Sequence, residues 1–413
     1  MSVDPRRDGW RGHVANFLDT PVPILLVVIS TVLVAFLYPR FGGAQSSKGN
    51  DSGGFAFTDL VIGGMIIASF LHMLRGDWLA RDVWHKLQVP ILLIVIGSLI
   101  GSFYSGLHGF VVNAFVRDIA AVLTFLCAVD ILRRGGERAV RLCYGAVGIA
   151  IVLGAVQLAT SSGNELRASG TFPNPNVAGN LLALGIICWS GAPFRSSIKL
   201  PVIAVAVLGV AHAGSFGSLI QLGIGFGYLA ITHMDQAKNL VKGRRLLAVF
   251  PLLFLLLVGV FVVLNSSSAP STTGQPTTGF NSARFNRSGG VRFSMWDEAI
   301  RRLPETPWGA GPGSVRALNL NSQGPDISNE AIQYVVERGV IGLFGLLLLW
   351  WALVRMTPSG TAARALVLAY IFGEIFRETL HYRHLWIFLA IAMVAAEQQR
   401  RRRGLNQREL VYQ

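Results

Sequence analysis

Charge is what this chain has least of. Asp, Glu, Lys and Arg make up 14% of its 413 residues, against about 25% in a typical soluble domain. With 52% hydrophobic residues and a mean hydropathy of +0.50, that shortage excludes an ordinary soluble enzyme. Cysteine is also scarce. Cys127, Cys143 and Cys188 each fall inside an apolar run, which excludes a disulfide framework and leaves them as small core residues. There is no Walker A sequence, no zinc-ligand spacing and no Gly-x-Ser-x-Gly elbow, so those routes to phosphate binding, metal hydrolysis and acyl transfer are closed. No histidine lies between residues 265 and 334. No internal repeat is visible, and Gly223, Gly225 and Gly227 read as close helix packing.

What is present is a succession of apolar runs, each long enough to cross a bilayer. Twelve spans are expected, near 21–38, 55–73, 88–104, 109–132, 140–160, 176–193, 198–214, 216–232, 246–264, 335–355, 362–380 and 384–398. The net charge of +14 could suggest nucleic acid. Its distribution does not, because Lys and Arg crowd the segments between spans on one side, which is the topology signal. With the N-terminus cytoplasmic, both termini lie inside. Arg6, Arg7 and Arg11 before the first run resemble a signal peptide in charge order, and Gly42-Gly43-Ala44 offers a weak cleavage site. An uncleaved first span is the expectation, since many spans follow.

Residues 265–334 form the one long hydrophilic stretch and are expected to face outward. Ser266 to Ser282 is rich in Ser, Thr, Pro and Gly. Arg292 to Arg301 reads as a short amphipathic helix with apolar residues at 293, 296 and 300, followed by turns over Pro304 to Gly313. A second helix is expected from near Ser328, with Ser328 or Asn329 as N-cap, running into the tenth span.

The outward segments collect arginine: Arg167, Arg284, Arg287, Arg292, Arg301, Arg302 and Arg316. Arginine pairs with phosphate oxygens through two parallel N–H groups, so this set suits a lipid-linked diphosphate. Contact with lipid headgroups is the plainer reading. The stretch Arg167 to Asn176 places an Arg, Asn174 and Asn176 in a turn-rich loop at the lip of the next span. Glu374, Arg377, Glu378 and His381 have the spacing of one helix face at the end of the eleventh span. Ionisable residues there are either functional or an ion-pair stripe that fixes packing. Arg117 and Asp118 lie inside the fourth span, and one of them is expected to reach that stripe. Asp326, Glu330 and Glu337 put carboxylates at the start of the tenth span, beside Arg338. A partly desolvated carboxylate near Arg could act as general base, or could simply favour the first helical turn.

Three stretches together resemble the O-antigen ligase and Wzy-type polymerase family of bacterial membrane glycosyltransferases. They are Arg167 with GTFPNPNVAGNLLALG (170–185), RFSMWDEAIRRLPETPWGAGPGS (292–314) and SNEAIQYVVERGVIGLFG (328–345). They are similar to the family's Gly-Thr-Phe-x-Asn-Pro-Asn loop, its Arg-x-x-x-Trp segment with a Pro-x-Gly-x-Gly turn, and its His-Asn-x-x-Leu helix. Two departures stand out. Ser328 occupies the place of the family's His, and Gly214-Ser-Phe-Gly217 replaces a Ser-Arg pair common in the family. The resemblance covers roughly residues 165–400.

It implies an all-α polytopic membrane protein in two parts: N-terminal helices over 1–160, and an O-antigen ligase-like region over 161–413 that includes the loop 265–334. It implies a glycosyltransferase of the bacterial cytoplasmic membrane, acting at the outer face on a polyprenyl-diphosphate-linked glycan in surface polysaccharide biosynthesis. The acceptor would be a glycan or lipid-glycan, and other assembly proteins could be partners. No cofactor, metal or nucleic acid is expected. The candidate bases are Glu330 first and His381 second. Arg167, Asn174, Asn176, Arg292, Arg301 and Arg377 are the candidate substrate contacts. The rival readings are a lipid-linked oligosaccharide transporter and a non-catalytic partner in polysaccharide assembly.

Overall fold

A computed structural model describes residues 20–34, 40–41, 55–105, 108–160, 175–237, 293–301, 303–317, 329–375 and 382–411. The described chain is helical apart from a two-residue antiparallel pairing of Arg40–Phe41 (β1) with Phe55–Ala56 (β2). Helix is the expected answer for apolar runs in lipid, because each backbone N–H and C=O then finds its partner within the segment. Among the described residues, seven helices come before the long hydrophilic stretch: α1 (Val22–Leu33), α2 (Phe57–Leu74), α3 (Arg81–Ser105), α4 (His108–Thr160), α5 (Pro175–Ser190), α6 (Ser196–Ala213) and α7 (Phe216–Ala237). After it come α8 (293–301), a 3-10 turn at Leu303–Glu305, α9 (Ser314–Ala317), α10 (Glu330–Met356), α11 (Ala362–Gly373) and α12 (Arg383–Val411).

Among the described residues, four helices are long and apolar enough to cross a membrane: Arg81–Tyr104, Asp118–Thr160, Ser196–Ala213 and Glu330–Met356. Val22–Leu33, Thr58–Leu74, Pro175–Ser190 and Ala362–Gly373 are shorter apolar helices. The fourth and fifth expected spans are joined in α4, which breaks at Gly136 (φ 61, ψ −151). The expected ninth span, 246–264, lies outside the described residues.

The centre of the bundle follows from side-chain chemistry. Every residue of α5 from Val177 to Trp189 is buried, as is every residue of α12 from His384 to Ala396. A helix apolar all round belongs in the interior. The two meet closely, since a Cβ on Gly185 would come within 2.3 Å of Ile151 of α4 and 3.3 Å of Phe388 of α12. Around them α4, α6, α7, α11 and α1 complete the core, while α3 packs most extensively on α10.

Two expectations concern helix faces. The eleventh span was expected to carry Glu374, Arg377, Glu378 and His381 on one helical face. In the structure α11 ends at Gly373 with Glu374 as its C-cap, still in the αR region; Arg377, Glu378 and His381 lie outside the described residues. The amphipathic face of α8 differs from the expectation. Met295 and Ala299 are buried, whereas Phe293 and Ile300 are 65% and 51% exposed. The buried pair is spaced i, i+4, and Ala299 packs with Val315 and Val336, flanked by Trp296.

Candidate active site

The site is built on a break in α10. Gly339 takes φ 64 and ψ −171, a conformation open only to glycine. The break frees carbonyls of the preceding turn, and the glycine-rich turn after α8 fills the gap. Ala310 N–H donates to Val336 O (2.9 Å) and Gly311 N–H to Glu337 O (2.8 Å). The approach leaves no room for side chains. A Cβ on Gly309 would lie 2.5 Å from Gly339 N, and one on Gly339 would lie 2.5 Å from the Trp308 carbonyl carbon. From the other side α3 comes equally close: added Cβ atoms at Gly97 and Gly101 would meet Arg338 O at 2.6 Å and Glu337 O at 2.7 Å. The glycines of PWGAGPG and ERG thus serve one three-way crossing, and the turn is a docking element.

On the N-terminal side of this break, α10 carries buried polar residues. Asn329 is the N-cap and accepts from Ile332 N–H (3.0 Å). Its amide also donates to Ile375 O (3.2 Å). Glu330 N–H, one of the orphan donors of a helix start, donates to Glu374 O (3.0 Å). The start of α10 is therefore stitched to the end of α11. The Glu330 carboxylate is fully buried and accepts from Tyr370 Oη at 3.4 Å, while Trp350 Nε1 donates to the same phenol oxygen at 3.4 Å. Glu374 is also fully buried. One turn on, Gln333 donates to Glu337 (3.4 Å). Arg338 is 1% exposed, pairs with Asp118 of α4, and stacks 4.0 Å over the Tyr334 ring. Asp118 therefore meets α10.

A second polar string crosses the core. His384 Nε2 and Asn180 Oδ1 are 2.7 Å apart, and Asn180 Nδ2 donates to Gln221 Oε1 (3.0 Å). In this arrangement Asn180 Oδ1 is placed to accept from His384 Nε2 in the tautomer that carries its proton there. Gln221 packs on the end of α11 so tightly that a Cβ on Gly373 would fall 2.1 Å from its Nε2. Gly373 precedes Glu374, whose carbonyl receives Glu330 N–H. The string thus runs from α12 through α5 and α7 to the junction that holds Glu330. Ser215 and Ser218, bonded to each other at 2.8 Å, lie against Gly179 one residue away.

Of the residues singled out in the sequence, the structure brings Glu330 into this cluster. Asn176 is the second residue of α5 and half-buried. Arg301 lies at the end of α8 with its side chain 77% exposed, paired with Asp297 at 2.8 Å. Arg167, Asn174, Arg292, Arg377 and His381 lie outside the described residues. Sequence reasoning passed over Tyr370, Asn180 and Gln221. Their signal was present, as single polar groups inside apolar runs. Among the described residues no group of three or more His, Cys, Asp and Glu is placed to hold a metal ion.

Long apolar helices crossing at glycines, with buried carboxylates where helices break or end, define a helical membrane protein with a polar site between its helices. Residues 201–347 match the family model described as O-antigen ligase. That stretch includes α7, the glycine-rich turn and the first part of α10 with Glu330. The match supports assignment to the O-antigen ligase/Wzy-type family, and with it a ligase- or polymerase-type function in polysaccharide biosynthesis and a membrane location. No curated protein matches the chain.

Proposed function

We propose that this protein is a membrane glycosyltransferase that polymerises or ligates polyprenyl-diphosphate-linked glycans at the outer face of the cytoplasmic membrane. Twelve spans with loop 265–334 outside and both termini inside are part of this reading. The observation that carries it is Glu330: a carboxylate buried at the first turn of α10, bonded to Tyr370 and stitched to α11, within the stretch that matches the family. In the proposed step the acceptor hydroxyl gives its proton to Glu330. Its oxygen attacks the anomeric carbon, and the bond from that carbon to the lipid diphosphate breaks. The diphosphate leaves with its negative charge, and Arg167, Arg292 and Arg377 would stabilise it. Arg301 would serve in initial capture, since it is exposed. Asn174 and Asn176 would hold sugar hydroxyls. His381 is the second candidate for the base.

The test is Glu330→Gln, which keeps shape and hydrogen bonding but removes the basic carboxylate. A general base contributes about 10²- to 10⁴-fold, so kcat is expected to fall by about 100-fold or more with donor binding unchanged. If donor binding falls in step with kcat, Glu330 is structural. If turnover is normal, the base lies elsewhere.

A further inference from the structure

Three segments far apart in sequence meet at one end of the bundle: the turn before α3, the break in α4 and the last turns of α12. Arg133 bridges them, bonding Leu79 O, Asp82 and, at 2.7 Å, Glu397. The depth of this end follows from helix length. Asp118–Thr160 is 43 residues, about 65 Å at 1.5 Å per residue, roughly twice the ~30 Å hydrocarbon thickness. Its break at Gly136 therefore falls at a membrane surface. The buried part of α12 ends there too, since burial stops after Ala396 and Glu397 contacts Arg133.

The surface at that level is strongly basic. Glu137, next to the break, is shared by Arg141 (3.3 Å) and by Arg402 of α12. One carboxylate thus gathers two guanidiniums that are 59% and 64% exposed. Arg138, Arg400 and Arg401 add exposed charge, and among the described residues no carboxylate pairs with them. Asp82 and Glu397 are already bonded to Arg133. A topology signal alone needs only charge in the right segment. Here Arg402 reaches Glu137, 265 positions away in sequence, and is tied with Arg141 into one patch.

We propose that this patch is a binding site for anionic phospholipid. The ligand is the headgroup phosphate, which guanidinium recognises through paired N–H donors and which lies at the depth of the break. The site does not depend on the glycosyltransferase reading and sits away from Glu330.

The experiment titrates the full-length protein, purified in uncharged detergent, with phosphatidylglycerol and separately with phosphatidylcholine, and counts bound lipid by native mass spectrometry. Phosphatidylglycerol is expected to bind more tightly, and the preference to weaken with salt. Arg400→Gln with Arg401→Gln disturbs no ion pair seen in the structure. It is expected to weaken phosphatidylglycerol about 30-fold, from roughly 1 kcal/mol per charge, and to leave phosphatidylcholine unchanged. Arg195→Gln, an exposed charge at the start of α6, is expected to change neither. Equal binding of the two lipids, wild-type affinity in the double variant, or an equal loss per charge removed in the Arg195 variant would each overturn the site.

Discussion

Gly339→Ala tests the three-way crossing most sharply. At φ 64 and ψ −171 an alanine pays about 1–3 kcal/mol in backbone strain. Its Cβ would also stand 2.5 Å from the carbonyl carbon and 2.6 Å from the oxygen of Trp308, and 2.9 Å from Pro307 O. These are backbone atoms, so no rotamer change relieves the clash and the turn must retreat. Retreat breaks the bonds from Ala310 and Gly311 to the freed carbonyls, about 1 kcal/mol each. The expected loss is about 3–5 kcal/mol, a large part of a typical stability of about 5–15 kcal/mol. Gly145 is the control. It is helical, and a Cβ there meets nothing within 4 Å, so Gly145→Ala is expected to be neutral or stabilising by up to about 1 kcal/mol. Unfolding in detergent, followed by tryptophan fluorescence, compares the two. If Gly339→Ala unfolds with the wild type, the backbone at the break is not as described and the docking argument fails.

His384→Ala is expected to lower kcat with little change in KM, and His384→Gln to restore much of it, because glutamine can still donate to Asn180. Equal loss in both would make the imidazole itself the reacting group. Asp118→Asn leaves Arg338 buried without its counter-charge and is expected to cost about 3 kcal/mol; Asp118→Leu with Arg338→Met is expected to recover most of this in the same unfolding assay. Arg167→Lys is expected to abolish activity while the protein still inserts, since one ammonium does not replace a bidentate fork; near-normal polymer from this variant would remove Arg167 from diphosphate binding.

The helices were legible because lipid and helix geometry act on every residue of a run in the same way. The N-cap at Asn329 and the turns before Gly313 could be read from local chemistry. What sequence did not reveal was each case in which a distant partner decides. The end of α11 at Gly373 depends on Glu374 O receiving Glu330 N–H, and on Gln221 pressed against the glycine. An apolar window cannot register such contacts. On α8, Ala299 turns inward onto Val315 and Val336, while Phe293 and Ile300 stay exposed. Asp118 finds Arg338, 220 positions away. Glu330 was visible as a carboxylate at a helix start, but Tyr370 beside it was not, since an apolar span conceals which of its tyrosines meets a charge.

The most direct measurement compares lipid-linked and surface glycans, by gel and mass spectrometry, in a host lacking the gene and complemented with wild type or with Glu330→Gln. Single repeat units accumulating on the lipid in the deletion mark a polymerase, and long chains held on the lipid with none on the final acceptor mark a ligase. In either case wild type is expected to clear the pool and Glu330→Gln is not. If neither pool changes when the gene is removed, the protein is not the transferase proposed.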